Sequence, residues 1–165
     1  MQKIVIQTFG AIQNAEIEVK KVLVLIGEQA SGKSTIAKLI YFFKSLKDDL
    51  FNQIYSDTTK EYFDTPNDIF YPIREKFYDF FGSTVHLPDF NIRYYYNVEG
   101  DRYLNLSLDK NKKLEPIFSS NMLTHEVKIN FTNIKRLLHN TSDNIQEQLI
   151  QEQNKIGMHK GFLRW

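Results

Sequence analysis

The run Gly27-Glu28-Gln29-Ala30-Ser31-Gly32-Lys33-Ser34 constrains this chain more than any other feature. It fits the spacing G-x-x-x-x-G-K-[ST] and lies between two segments of different hydrophobic period. Before it, Val22 to Ile26 is an unbroken apolar run, which predicts a strand buried on both faces. After it, Ile36, Leu39, Ile40 and Phe43 recur at i, i+3, i+4 and i+7, which predicts an amphipathic helix. Strand, glycine-bearing turn and helix follow one another in the order a phosphate cradle needs.

The residue types match that chemistry. Backbone N–H groups at a helix start have no intrahelical acceptor, and the helix dipole adds about half a positive charge there. Glycine lets the backbone approach an anion closely. Lys33 is expected to reach the terminal phosphates as a point charge, Ser34 to offer its hydroxyl to a magnesium ion, and Thr35 to donate to the innermost phosphate. The expected binding set is therefore Gly27, Glu28, Gln29, Ala30, Ser31, Gly32, Lys33, Ser34 and Thr35, with Ser34 as the metal residue. The alternative is a strand-to-helix turn with an incidental lysine, which the flanking pattern disfavours.

Composition removes other classes. A length of 165 residues corresponds to about one domain, and 42% apolar with 25% charged residues is a globular composition. A net charge of +1 supplies no whole-molecule drive toward nucleic acid or an anionic membrane. With no cysteine there are no disulfides, thiolate metal sites or cysteine nucleophile. The apolar runs Val22 to Ile26 and Leu39 to Phe43 are too short to span a bilayer, and the start lacks a signal-peptide core. The expectation is a soluble cytoplasmic protein without membrane contact.

Ahead of the loop, Ile4 and Ile6 alternate with polar neighbours, a turn follows near Gly10, and Ile12, Ala15, Ile17 and Val19 trace a second extended segment. This predicts a β-hairpin. The run IQTFGAIQNAEIEVKKVLVLIGEQASGKSTIAKLI, with Phe9-Gly10 at the turn and Gly27 to Thr35 at the loop, resembles the start of ABC-type ATPase heads of the chromosome-maintenance, recombination-repair and OLD-like AAA groups, among them anti-phage ATPases. The resemblance covers roughly the first 45 residues. It implies an α/β fold, a P-loop NTPase of the ABC-type head N-terminal lobe, with an antiparallel β-subdomain and flanking helices. It further implies ATP and Mg2+ as cofactors. Those groups place Asn-Gly where this chain has Gln29-Ala30, so Ala30 stands at a glycine position.

Farther on, Asp48 to Phe63 lacks a clean period and is expected to contain a loop, and Thr65 and Pro66 open a helix carrying Ile73, Phe77, Phe80 and Phe81 up to Gly82, with Pro72 as a kink or restart. Asn91 to Val98 and Arg102 to Asp109 alternate around a turn at Glu99-Gly100-Asp101, and Glu126 to Thr132 reads as a further strand. Ile134, Leu137 and Leu138, then Ile145, Leu149 and Ile156, predict terminal helices, the last crowded by Gln146, Gln148, Gln151 and Gln153. The expected organisation is one ATP-binding domain over 1–165: hairpin, loop and helix over 1–50, a helix over 64–82, the β-subdomain over 91–132 and helices over 133–157.

Hydrolysis requires an acidic residue at the end of a second buried strand. No apolar run after the loop ends in Asp-Glu, no Leu-Ser-Gly-Gly signature follows, and His86, His125, His139 and His159 stand in no matching context. No catalytic residue is therefore assigned. The expectation is the N-terminal part of a larger head that binds Mg-ATP and turns it over poorly alone, with a C-terminal lobe, a second ATPase subunit or another copy of the chain as partner. Two other functions fit single features: a nucleoside-type kinase, from the Ala-Ser-Gly-Lys-Ser-Thr loop, and single-stranded nucleic-acid binding through Tyr94, Tyr95 and Tyr96 with Arg93, Arg102, Lys110, Lys112 and Lys113. The long preceding hairpin and the lack of an arginine-rich lid disfavour the kinase.

Overall fold

A computed structural model describes residues 1–56 and 66–122, with side chains described for these except 47, 50–56 and 66–69. The expected strand Glu126 to Thr132, the terminal helices, their glutamines and the N-cap Thr65 lie outside the described residues.

Two eight-residue strands, β1 (Gln2–Phe9) and β2 (Ile12–Val19), form the opening hairpin, closed by the pair Phe9 and Ile12. Helix α1 (Lys33–Ser56) buries Ile36, Leu39, Phe42, Phe43 and Leu46, spaced so that they share one stripe. It continues through Asp48 to Ser56, the first part of the stretch expected to contain a loop; the rest of that stretch, 57–63, lies outside the described residues. Helix α2 (Pro66–Phe81) runs through Pro72 and buries Ile73 and Phe77 completely. It stops where Gly82 adopts φ +78° and its N–H donates to Tyr78 O at 2.8 Å, a left-handed C-terminal cap.

Strands β3 (Asn91–Asn97), β4 (Arg102–Leu108) and β5 (Leu114–Phe118) follow. The five strands make one antiparallel sheet in the order β2-β1-β3-β4-β5, so the 91–118 strands do not stand apart as a separate subdomain. Lys3 pairs with Tyr95 and Ile6 with Ile92, which joins the N-terminal hairpin to β3. Period-2 alternation then sorts the side chains: Ile4, Ile6, Ile92, Tyr94, Leu104 and Leu106 share the buried face, while Lys3, Arg93, Tyr95, Tyr103 and Asn105 share the other.

The core between sheet and helices is aromatic. Phe77 lies 6.0 Å from Phe9, 5.8 Å from Phe42, 4.8 Å from Phe81 and 6.0 Å from Phe90, centroid to centroid. Buried ring pairs of this kind contribute about 0.5–1.5 kcal/mol each beyond area burial. The Tyr96 hydroxyl donates to the Phe43 carbonyl at 3.0 Å, tying β3 to α1, and Tyr94 donates to Gln2 Oε1 at 3.1 Å. Burial raises the pKa of both tyrosines, and for Tyr96 the neighbouring Tyr94 adds to the effect.

Val22 to Ile26 departs from expectation. It forms no strand, and Val22, Val24 and Ile26 are 78%, 72% and 91% exposed, with only Leu25 packed on the core. The physical reason is topological: among the described residues the five strands pair with one another and none lies parallel beside the run to cover its faces.

Candidate functional site

The segment from Gly27 to Gly32 links that apolar run to the first residue of α1. Gly32 O accepts the Ile36 N–H at 2.9 Å, which places Gly32 at the helix start. A turn closes over Gln29–Ala30, the N–H groups of Lys33, Ser34 and Thr35 precede the first intrahelical bond and have no acceptor within α1, and the first turn of α1 holds no acidic side chain. Free donors and an unopposed dipole therefore coincide on an exposed surface.

Three left-handed or near-left-handed residues shape the loop: Gly27 (φ +157°), Ala30 (φ +61°) and Gly32 (φ +89°). Ala30 holds a conformation that costs an L-residue about 1–2 kcal/mol relative to glycine. Gly32 is required twice over, by its φ and by its neighbour: a Cβ there would stand 2.6 Å from Ile12 Cγ1. Ile12, buried at the start of β2, is thus the wall against which the loop rests.

Lys33 folds back into the loop. Its Nζ donates to Gly27 O at 2.8 Å, to Ser31 Oγ at 3.1 Å and to Glu28 O. The ammonium is already surrounded by oxygens, so an anion must replace backbone carbonyls as its partner. Ser34 is exposed and Thr35 half-buried, and neither hydroxyl has a partner among the described residues. All nine residues expected at the site lie in this one continuous stretch.

The sequence reading missed Ile12 as a site residue. Its only signal was an apolar side chain just after the Phe9-Gly10 turn, and nothing local tells that this end of the hairpin reaches the loop. The tyrosine strand is divided by its pleat: Tyr94 and Tyr96 enter the core and only Tyr95 faces outward, so the three do not form one binding surface.

A groove of about 410 Å3 lies elsewhere, lined by Leu46, Asp49, Tyr71, Pro72, Glu75, Lys76 and Asp79, and shares no residue with the loop. Lys76 pairs there with Asp49 and donates to Ser45 Oγ at 2.6 Å. Burial lowers its pKa, opposed by the charge of Asp48. Among the described residues no cluster of three His, Asp or Glu side chains could hold a metal, and no helix is long and apolar enough to cross a membrane.

A family model described as "AAA ATPase domain" matches residues 1–161. No curated protein and no solved structure matches the chain. The match spans the hairpin, the glycine-bearing loop with its free N–H groups, both helices and the whole five-stranded sheet, and the chain therefore belongs to the AAA ATPase domain family.

Proposed function

We propose that Gly27 to Thr35 binds the phosphates of Mg-ATP. The observation that carries this reading is the coincidence, in a family member, of a glycine-bearing turn that leads into the uncapped N-terminus of α1, whose first N–H groups at Lys33, Ser34 and Thr35 have no intrahelical acceptor, and a first helical turn without an acidic residue. Gly27, Gln29, Ala30, Ser31 and Gly32 supply backbone, Glu28 supplies its N–H, and Lys33 turns from its carbonyl partners toward the terminal phosphates. Ser34 supplies a hydroxyl to magnesium and Thr35 a donor to the innermost phosphate. The ion would screen phosphate charge and orient the terminal group.

The fold reading is a P-loop lobe of the ABC-type, OLD-like group that works with further structure. Val22 to Ile26 supports it: an extended apolar run with Val22, Val24 and Ile26 bare is suited to receive a neighbouring strand, from a C-terminal lobe, a second ATPase subunit or another copy. A magnesium-shell acid would come from that neighbour. Hydrolysis by the isolated chain is then slow.

Titration of the chain with Mg-ATP, followed by calorimetry, tests this. Lys33→Ala is expected to weaken binding by tenfold or more. Equal affinity of parent and variant overturns the assignment of the loop, and brisk turnover by the isolated chain overturns the need for a partner acid.

A further inference from the structure

The face of the sheet turned away from the helices carries an unexplained charge. Arg93, at the middle of the central strand β3, stacks on the Tyr103 ring with its Cζ 4.5 Å from the centroid. Its Nε donates to Asn105 Oδ1 at 3.2 Å and its Nη1 to Tyr95 Oη at 3.3 Å. Among the described residues no carboxylate pairs with it, although it is half-buried. Cross-strand packing explains the Tyr95–Tyr103 pair, 5.4 Å apart. It does not explain a guanidinium whose hydrogen bonds go to neutral groups, with the charge of Asp101 in the β3–β4 turn acting on it without a direct ion pair, and with three of its five N–H donors left over.

Lys3 on β1 holds its ammonium 5.1 Å from the Tyr95 ring centroid, and Asp101 in the β3–β4 turn acts on Arg93; the remaining charges of this face lie at its margins. Glu16 and Glu18 belong to edge strand β2 and are taken up by Lys3 at 2.9 Å and Lys20 at 3.5 Å. Glu115 sits on the opposite edge strand, β5. Each edge is two strands from β3, or about 10 Å at the usual strand spacing. The middle of the face is therefore a positive, aromatic path along β3 and β4, continued at the β4–β5 turn by exposed Lys110 and Lys113.

We propose that this path binds single-stranded nucleic acid, with a phosphate at the free edge of Arg93 and bases stacked on Tyr95 and on the Tyr103–Arg93 layer. A single strand is favoured over a duplex because rings standing on a flat sheet reach only unstacked bases. It is favoured over a protein partner because the unpaired charge at the centre is a planar, stacked guanidinium, which suits phosphate and base together. The site shares no residue with the phosphate loop, so the two readings can fail separately.

Fluorescence anisotropy of labelled oligothymidylate and oligouridylate against the full chain tests it. Binding is expected to fall as salt rises and to weaken at least about tenfold in Arg93→Ala and in Tyr103→Leu, while Tyr103→Phe, which keeps the ring, and Lys33→Ala bind as the parent does. Circular dichroism of each variant separates loss of binding from loss of fold, and Arg93→Ala decides the test if Tyr103→Leu unfolds. Absence of binding by the parent, or equal binding by parent and folded Arg93→Ala, overturns the proposal. So does a change in sedimentation of Arg93→Ala with oligonucleotide binding intact, which would make the face a protein interface.

Discussion

Ile12 and Gly32 are in contact: the Cβ that glycine lacks would lie 2.6 Å from Ile12 Cγ1 and 3.3 Å from Cδ1. The hairpin end thereby sets how close the loop backbone can come to the body of the domain. Gly32→Ala combines this overlap with a φ of +89° and is expected to cost about 2–4 kcal/mol by chemical denaturation. Ile12→Ala in the same chain removes the overlap but not the strained φ. The double variant should recover about 1 kcal/mol relative to the sum of the single effects; strict additivity would show that the contact carries no energy.

Ala30→Gly acts in the opposite direction. With Ala30 at φ +61°, glycine relieves left-handed strain, and the gain is offset by the extra freedom of the unfolded chain. A net stabilisation of up to about 1 kcal/mol is expected in thermal or urea unfolding. A destabilised variant would mean that the methyl group makes a favourable contact.

Alkaline pH should weaken the fold through Tyr94 and Tyr96. Both phenols have pKa values raised by burial, so above the unfolded tyrosine value of about 10 the unfolded chain releases protons that the folded chain keeps. Stability from these groups is complete below pH 10 and falls above it, by up to about 1.4 kcal/mol per pH unit for each tyrosine. Tyr96→Phe should flatten the dependence while costing about 1 kcal/mol at neutral pH through the lost hydrogen bond to Phe43 O. Urea unfolding from pH 8 to 11 reads both effects, and an unchanged slope would count against the phenol's part in it.

Val24→Lys tests the bare apolar run. Val22, Val24 and Ile26 expose a row of aliphatic side chains beside an unpaired backbone. Sedimentation velocity is expected to show concentration-dependent association of the parent and less of it in the variant, with melting temperature nearly unchanged because Val24 contributes little to the core. A monomeric parent at high concentration would remove the second copy as an occupant.

Local pattern carried much of this fold. Ile92, Tyr94 and Tyr96 against Leu104 and Leu106 mark a hairpin by alternation alone, and the stripe from Ile36 to Phe43 marks α1. Strand β5 was hidden by Pro116, a residue tolerated there because β5 lies at the sheet edge. Val22 to Ile26 misled because an apolar run states what a segment needs, and not whether a neighbour is present to supply it. The candidate loop was legible because its residues are consecutive. Ile12 was not, since it depends on where a distant hairpin end lies; Arg93 and Tyr95 stood out by type, but their stacking with Tyr103 and Asn105 depends on the hairpin's register, which alternation alone does not fix.

The seam between Lys3 and Tyr95 joins the first hairpin of this domain to a strand made roughly ninety residues later. During synthesis the first hairpin must wait, one edge open, until both helices and β3 have left the ribosome. Closing so long a loop is slow, and the waiting edge is exposed to the wrong partner. The order of the sheet therefore makes folding of this domain sensitive to how long the open edge of the first hairpin waits for β3, a matter of synthesis rate and chaperone cover as well as of contacts in the finished molecule.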